Sequence, residues 1–216
     1  MPNWCDNQIT ITGPNSVIDK IEKITKEEKD DQGLLNFFHP MPKELDGTTS
    51  PSSSADKPQP MVEGFDCWYD WRVENWCTKW EVSEFYGVDR QHLNDSLDES
   101  TISFGFSSAW APPTGAYTRF ITSMAEKNLD VSLKAYYHEG GCDFAGCWDN
   151  GDDECIAPSD YKSDDEFWNE PGLGYDLDEM FNITESMAEY EAEQEAEKED
   201  VHEYVKGQAM NIGEDV

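Results

Sequence analysis

The chain has 216 residues, 37% of them hydrophobic and 12% aromatic, with eight Trp and a formal net charge of −32. That charge excludes direct binding to nucleic acid or to an anionic membrane, both of which need Lys and Arg. No run of about 18 apolar residues is present to span a bilayer. Disordered chains are poor in aromatics, so part of this one is expected to bury a core. A basic partner, cations or high salt would relieve the self-repulsion, and a general acidic bias of the halophilic type is the other reading of the charge. The opening residues carry no basic and apolar leader, so a cytoplasmic setting with reduced thiols is expected for Cys5, Cys67, Cys77, Cys142, Cys147 and Cys155.

Residues 8–12 alternate polar and apolar before Gly13-Pro14, which predicts a half-buried strand and a turn. A helix is expected over residues 16–29, with Val17, Ile18, Ile21 and Ile24 on one face. The proline-punctuated segment 37–42 reads as a buried extended connector. Residues 46–60, rich in Pro and Ser, read as a mobile loop. Residues 81–86 read as a strand, and residues 100–107 as a clearer one, with Ile102, Phe104 and Phe106 on one side. Pro112-Pro113 leads into a helix over residues 114–127, buried through Tyr117, Phe120, Ile121 and Met124. A further strand alternates through Val131, Leu133, Ala135 and Tyr137, and a last hairpin turns at Asn150-Gly151.

The order strand, helix, strand, strand, helix, strand is that of a split βαβ, or ferredoxin-like, sheet. An α+β fold is therefore expected: two helices on one face of the sheet, an extra C-terminal hairpin, and an acidic helical extension. The core would span residues 1–160, and residues 161–216 would be a partly helical or disordered extension. Topology alone assigns no function.

Charge is segregated. Residues 141–216 carry 24 acids against three Lys, whereas residues 1–140 carry 23 acids against 12 bases. Residues 189–200 are the densest stretch, where Glu191/Glu195 and Glu193/Glu197 are like-charged i,i+4 pairs that each destabilise a helix by a few tenths of a kcal/mol. A solvated acidic tail that aids solubility is one reading. The sharper one is mimicry of nucleic acid. A carboxylate every second residue of a helix gives about one charge per 3 Å of axis, close to the phosphate spacing of a DNA strand. The candidate partner-binding residues are then Glu189, Glu191, Glu193, Glu195, Glu197 and Asp200.

Residues 68–80 hold four Trp. Trp71, Trp76 and Trp80 could wall a pocket, together with Trp110, with Asn75, Thr78 and Lys79 as donors; equally, the indoles could be core material. No nucleophile, phosphate-loop or dinucleotide motif occurs, so no enzyme activity and no catalytic residue is expected. The Cys and His spacings do not form a zinc site, and residues 149–154 lack the spacing of a calcium loop, so no metal or cofactor is expected.

The opening M-P-N-W-C-D-N-Q-I-T-I-T-G, then F-H-P-M-P, V-E-N-W-C-T-K-W and F-S-S-A-W-A-P-P together resemble the YubB-type ferredoxin-like domain of bacteriophages and conjugative plasmids, over roughly residues 1–150. That family has no established activity, and its members usually carry Gly at the position of Cys77. The resemblance implies a mobile-element origin and a host-cytoplasm setting. By analogy with acidic phage inhibitors, the leading expectation is an anti-defence accessory protein. It would bind and inhibit a basic DNA-handling host protein, a restriction or other defence nuclease being the first target class. A small-molecule or peptide-binding module, or an undescribed enzyme, at the Trp-rich motif is the alternative. An inert structural or virion component is a third.

Overall fold

The computed structural model describes residues 3–26, 33–93 and 98–212, with side chains through Lys198. The chain divides into two units, Met1–Ala157 and Pro158–Val216.

The first unit is α+β. Its strands are β1 (Trp4–Pro14), β2 (Tyr86–His92), β3 (Glu99–Ala109), β4 (Ser132–Glu139), β5 (Phe144–Asp149) and β6 (Asp152–Ile156). They form one six-stranded sheet in the order β2-β3-β1-β4-β5-β6, and every neighbouring pair is antiparallel. Its helices are α1 (Asn15–Lys26), α2 (Leu34–Phe38), α3 (Trp68–Trp76) and α4 (Thr114–Glu126).

The alternation of β1 decides which face is buried. Cys5, Asn7, Ile9 and Ile11 point inward, while Trp4, Asp6, Gln8, Thr10 and Thr12 are exposed or partly exposed. Ile102, Phe104 and Phe106 of β3 and Leu133, Ala135 and Tyr137 of β4 complete the inner face. Onto it pack Val17, Ile18, Ile21 and Ile24 of α1 and Ala116, Tyr117, Phe120 and Met124 of α4, all in one apolar cluster. Each such buried side chain contributes roughly 1.5–3 kcal/mol by leaving water. The outer face is laced by hydroxyls: Thr10 and Ser103 lie 3.0 Å apart, and Thr12 and Thr101 2.8 Å apart.

Two segments depart from the sequence expectation. The expected connector at residues 37–42 begins inside a helix, because Phe37 and Phe38 belong to α2 and Phe38 stacks on Phe120 at 4.3 Å. This helix is too short to stand alone. A distant carboxylate caps it: Glu81 Oε1 and Oε2 accept from the Leu35 and Asn36 amides at 2.7 and 2.9 Å. A side chain at Gly33, where φ is 62°, would strike that carboxylate. The same role explains why residues 81–85 form no strand and the element expected over residues 81–86 keeps only Tyr86, the first residue of β2. Glu81 is drawn to α2, its pKa raised by burial, Val82 is buried in the core, and pairing starts only at Tyr86. The loop at residues 46–60 is cross-tied, Gln59 bonding both the amide and the carbonyl of Thr49 and Ser52 donating to Asp66. The expected end of α1 at residues 27–29 lies outside the described residues.

The second unit is helical: α5 (Glu166–Asn169), α6 (Leu173–Phe181) and α7 (Ile183–Ile212). Tyr161 stacks on Phe167 at 4.1 Å, and Trp168 lies edge-on to both. Asn182 ends α6 in a left-handed conformation, and the Asp178 carboxylate accepts from the amide and hydroxyl of Thr184 at the start of α7. Among the described residues, no helix is long and apolar enough to cross a membrane.

Candidate functional sites

The structure divides the Trp-rich motif into a buried part and a displayed part. Trp71 and Trp76, on the inner side of α3, are fully buried and meet edge to face at 5.8 Å. Both indole N–H groups are used internally, Trp71 donating to Glu63 and Trp76 to the His39 carbonyl. Asn75 is also internal: its side-chain amide donates to the Trp71 carbonyl, and its own carbonyl lies 3.3 Å from His39 Nδ1. These three residues therefore build the core end of α3. Arg72 lies over Trp68 and Trp76 at 5.2 and 4.8 Å, and burial lowers its pKa.

Lys79, Trp80 and Trp110 come together at the surface, joined by a residue that the motif did not single out, Trp4. The three indoles are 38–50% exposed. The Lys79 ammonium sits over Trp110 at 3.7 Å and over Trp80 at 4.1 Å, and Trp80 meets Trp4 at 5.9 Å. Each ammonium–indole contact is worth about 0.5–1 kcal/mol at an exposed site.

A rigid base holds these groups. Thr78 donates to the Ala109 carbonyl at 2.8 Å, fixing the Lys79-Trp80 segment to the end of β3. The Trp110 amide donates to the Asn3 carbonyl, and Trp4 is in register with Ala109. Beneath lies a buried polar cluster in which Asn7 donates to the Cys5 carbonyl and to the Ser108 hydroxyl, and Tyr117 donates to Asn7. Burial drives the pKa values of Cys5 and Tyr117 upward, so both stay protonated. Trp110 itself has φ of 75°, an outlier for a bulky side chain. Such a conformation is retained where surrounding contacts over-determine it, commonly at binding surfaces.

The parity of β1 carries the sequence signal for Trp4. Cys5, Asn7, Ile9 and Ile11 take the inward positions, so Trp4 falls with Asp6 and Gln8 on the outer face. An aromatic residue in a polar register is a displayed one.

The acidic candidates lie on α7, and Glu189, Glu191, Glu193, Glu195 and Glu197 are all exposed. Helical geometry sorts them into two rows. Residues four apart lie on one side and residues two apart on opposite sides, so Glu189, Glu193 and Glu197 form one row, with Glu191 and Glu195 on the other. The Glu191 carboxylate accepts from the Ser163 hydroxyl at 2.7 Å and from the Ser163 amide at 3.3 Å, which lowers its pKa. Among the described residues no Lys or Arg forms an ion pair with Glu189, Glu193 or Glu197. Asp200 lies outside the residues with described side chains.

One group of metal-type donors lies close together among the described residues, namely Asp66, Cys67 and Asp70. Cys67 donates to Asp70, and Asp66 is already bonded by Ser52. Cys142 accepts from Asn3 at 3.3 Å.

No known family model matches the chain, and no curated protein matches it. A solved structure, that of protein api92 from Yersinia pseudotuberculosis (family DUF1281), aligns with 73% of this chain and 98% of its own, at 10% identity and a TM-score of 0.41. A likeness of that size says nothing about function.

Proposed function

We propose that the chain is an accessory protein of a phage or plasmid, acting in the host cytoplasm, that binds and inhibits a basic DNA-handling protein through α7. The observation that carries this reading is the exposed row Glu189, Glu193 and Glu197, which forms no ion pair among the described residues. Four residues of helix rise about 6 Å, so the row repeats one full charge at that interval along a rod. A groove lined with Lys or Arg complements the row in charge, at about half the linear charge density of a DNA strand, whose phosphates rise about 3.4 Å each. The opposite row, with Glu191 tied to Ser163, is a secondary contact. The strand order β2-β3-β1-β4, with α1 and α4 on one face, supports a ferredoxin-like core, and the motif resemblance supports a YubB-type membership and the mobile-element origin.

The test is affinity capture from bacterial lysate with the full chain and with a variant carrying Gln at positions 189, 193 and 197. A basic DNA-binding protein retained by the first and lost from the second is the expected result. Equal retention by both would remove α7 from the site.

A second reading rests on Trp4, Lys79, Trp80 and Trp110, which form a preorganised platform for a peptide or small ligand rather than the enclosed pocket read from the sequence. Trp80→Ala and Trp110→Ala would then each weaken binding by about 10-fold or more while the fold persists. Full binding by both variants would end this reading.

A further inference from the structure

The sheet ends at β6, whose outer edge pairs with no further strand among the described residues. β6 pairs with β5 alone, through the two-residue turn Asn150-Gly151, where both residues have positive φ, 49° and 113°. In such a hairpin the pair flanking the turn, here Asp149 and Asp152, exchanges both backbone hydrogen bonds. Bonding then alternates along the strand. Asp152, Glu154 and Ile156 turn their N–H and C=O groups toward β5, whereas Asp153 and Cys155 turn theirs outward. Apart from the Cys155 thiol, which donates to the neighbouring Ile156 carbonyl at 3.9 Å, no described residue outside β5 hydrogen-bonds to the backbone of β6. A row of outward donors and acceptors is a template for an added strand.

The side chains of this edge state which strand fits. Asp152, Asp153, Glu154 and Cys155 are all exposed. The Asp153 carboxylate is engaged by the Tyr137 hydroxyl at 2.6 Å. Asp152 and Glu154 share the outer face of the sheet, two residues and about 7 Å apart, and Asp149 stands opposite Asp152. A strand laid along the edge repeats its own side chains on each face at that same interval. Carboxylates directly opposite one another repel, so the β6 edge of a second copy is disfavoured. Cationic side chains at alternate positions face Asp152 and Glu154.

We propose that the β6 edge receives an extended basic segment of a partner protein as a seventh strand, with Lys or Arg at alternate positions. The proposal rests on the reading that the partner is basic, and places a contact on the first unit that is separate from the α7 row. Main-chain hydrogen bonds at Asp153 and Cys155 supply the docking, and Asp152 and Glu154 supply the selectivity.

The probe is a capped peptide of alternating Lys and Val, about eight residues long, added to the full-length protein under reducing conditions. Anisotropy would report binding and hydrogen exchange its location. The expected result is binding that slows exchange of the Asp153 and Cys155 amides, with a Glu/Val peptide failing to bind. Asp153→Pro removes one outward N–H without touching the β5 ladder and should weaken binding about 10-fold. A peptide N-methylated on the edge-facing amides should weaken it similarly with the protein unaltered. In a chain with Gln at positions 189, 193 and 197 the peptide should still slow exchange of the Asp153 and Cys155 amides, so a failure of the α7 reading and a failure of this one are separable. Absence of binding, unchanged exchange at Asp153 and Cys155, equal binding of the N-methylated peptide, or self-association of the chain along this edge would each overturn the proposal.

Discussion

Cys77 ends α3 with φ of 65° and an exposed side chain. A left-handed residue with a Cβ costs about 1–2 kcal/mol, and glycine removes that cost at an entropic charge of about half as much. Cys77→Gly should therefore raise unfolding stability by about 0.5–1 kcal/mol, and a lower urea midpoint would contradict this. Glu81→Ala leaves the Leu35 and Asn36 amides without their acceptor, and the expected loss is about 2–3 kcal/mol in the same measurement. His39, edge-on to Trp71 at 4.9 Å, has its pKa lowered by burial. Its sign is definite. As pH falls below the ordinary histidine value of about 6.5, the unfolded chain takes up the proton first, so stability is lost until the folded pKa is passed. His39→Gln should flatten the stability profile between about pH 7 and 5 relative to the parent chain. Identical slopes would show that His39 does not titrate on unfolding.

Helix α7 forms against its own charge, since Glu189/Glu193 and Glu193/Glu197 repel at i,i+4 spacing. Glu193→Lys turns both contacts attractive, which should stabilise the helix by about 0.5–1 kcal/mol in total and increase the helical circular dichroism signal. A loss of signal would mean that the row is held by something other than its own propensity. Elements whose burial follows a local period were readable: β1 by alternation, α1 and α4 by their apolar stripes, and the last hairpin by Asn150-Gly151. Those whose existence depends on a remote partner were not. α2 is capped by a carboxylate 46 positions further along than Leu35, and the absence of a strand over residues 81–85 is the other half of that contact. The Trp-rich motif failed as a single pocket for a related reason. Trp71 and Trp76 both turn to the inner side of α3, and Lys79 and Trp80, beyond its end, meet Trp110 at the surface. Trp4 went unread because the expected strand began at residue 8, whereas β1 begins at Trp4 and its alternation sets Trp4 on the outer face.

The molecule segregates its two resources. Nearly all the apolar packing described lies in the α+β unit, whereas the greater part of the net charge lies in residues 141–216, on β6 and in the helical unit. A chain at −32 gains when a cationic surface replaces its counterions, and such binding weakens steeply as salt is added. The measurement that bears most directly on the proposed role is cleavage of unmodified DNA by an extract of a restricting bacterial host, with the full chain present at low and at high salt. The account predicts that the chain suppresses cleavage at low salt, that high salt abolishes the effect, and that Gln at positions 189, 193 and 197 removes it at low salt. Cleavage that proceeds unchanged, or that the Gln variant suppresses as well as the parent, would contradict it.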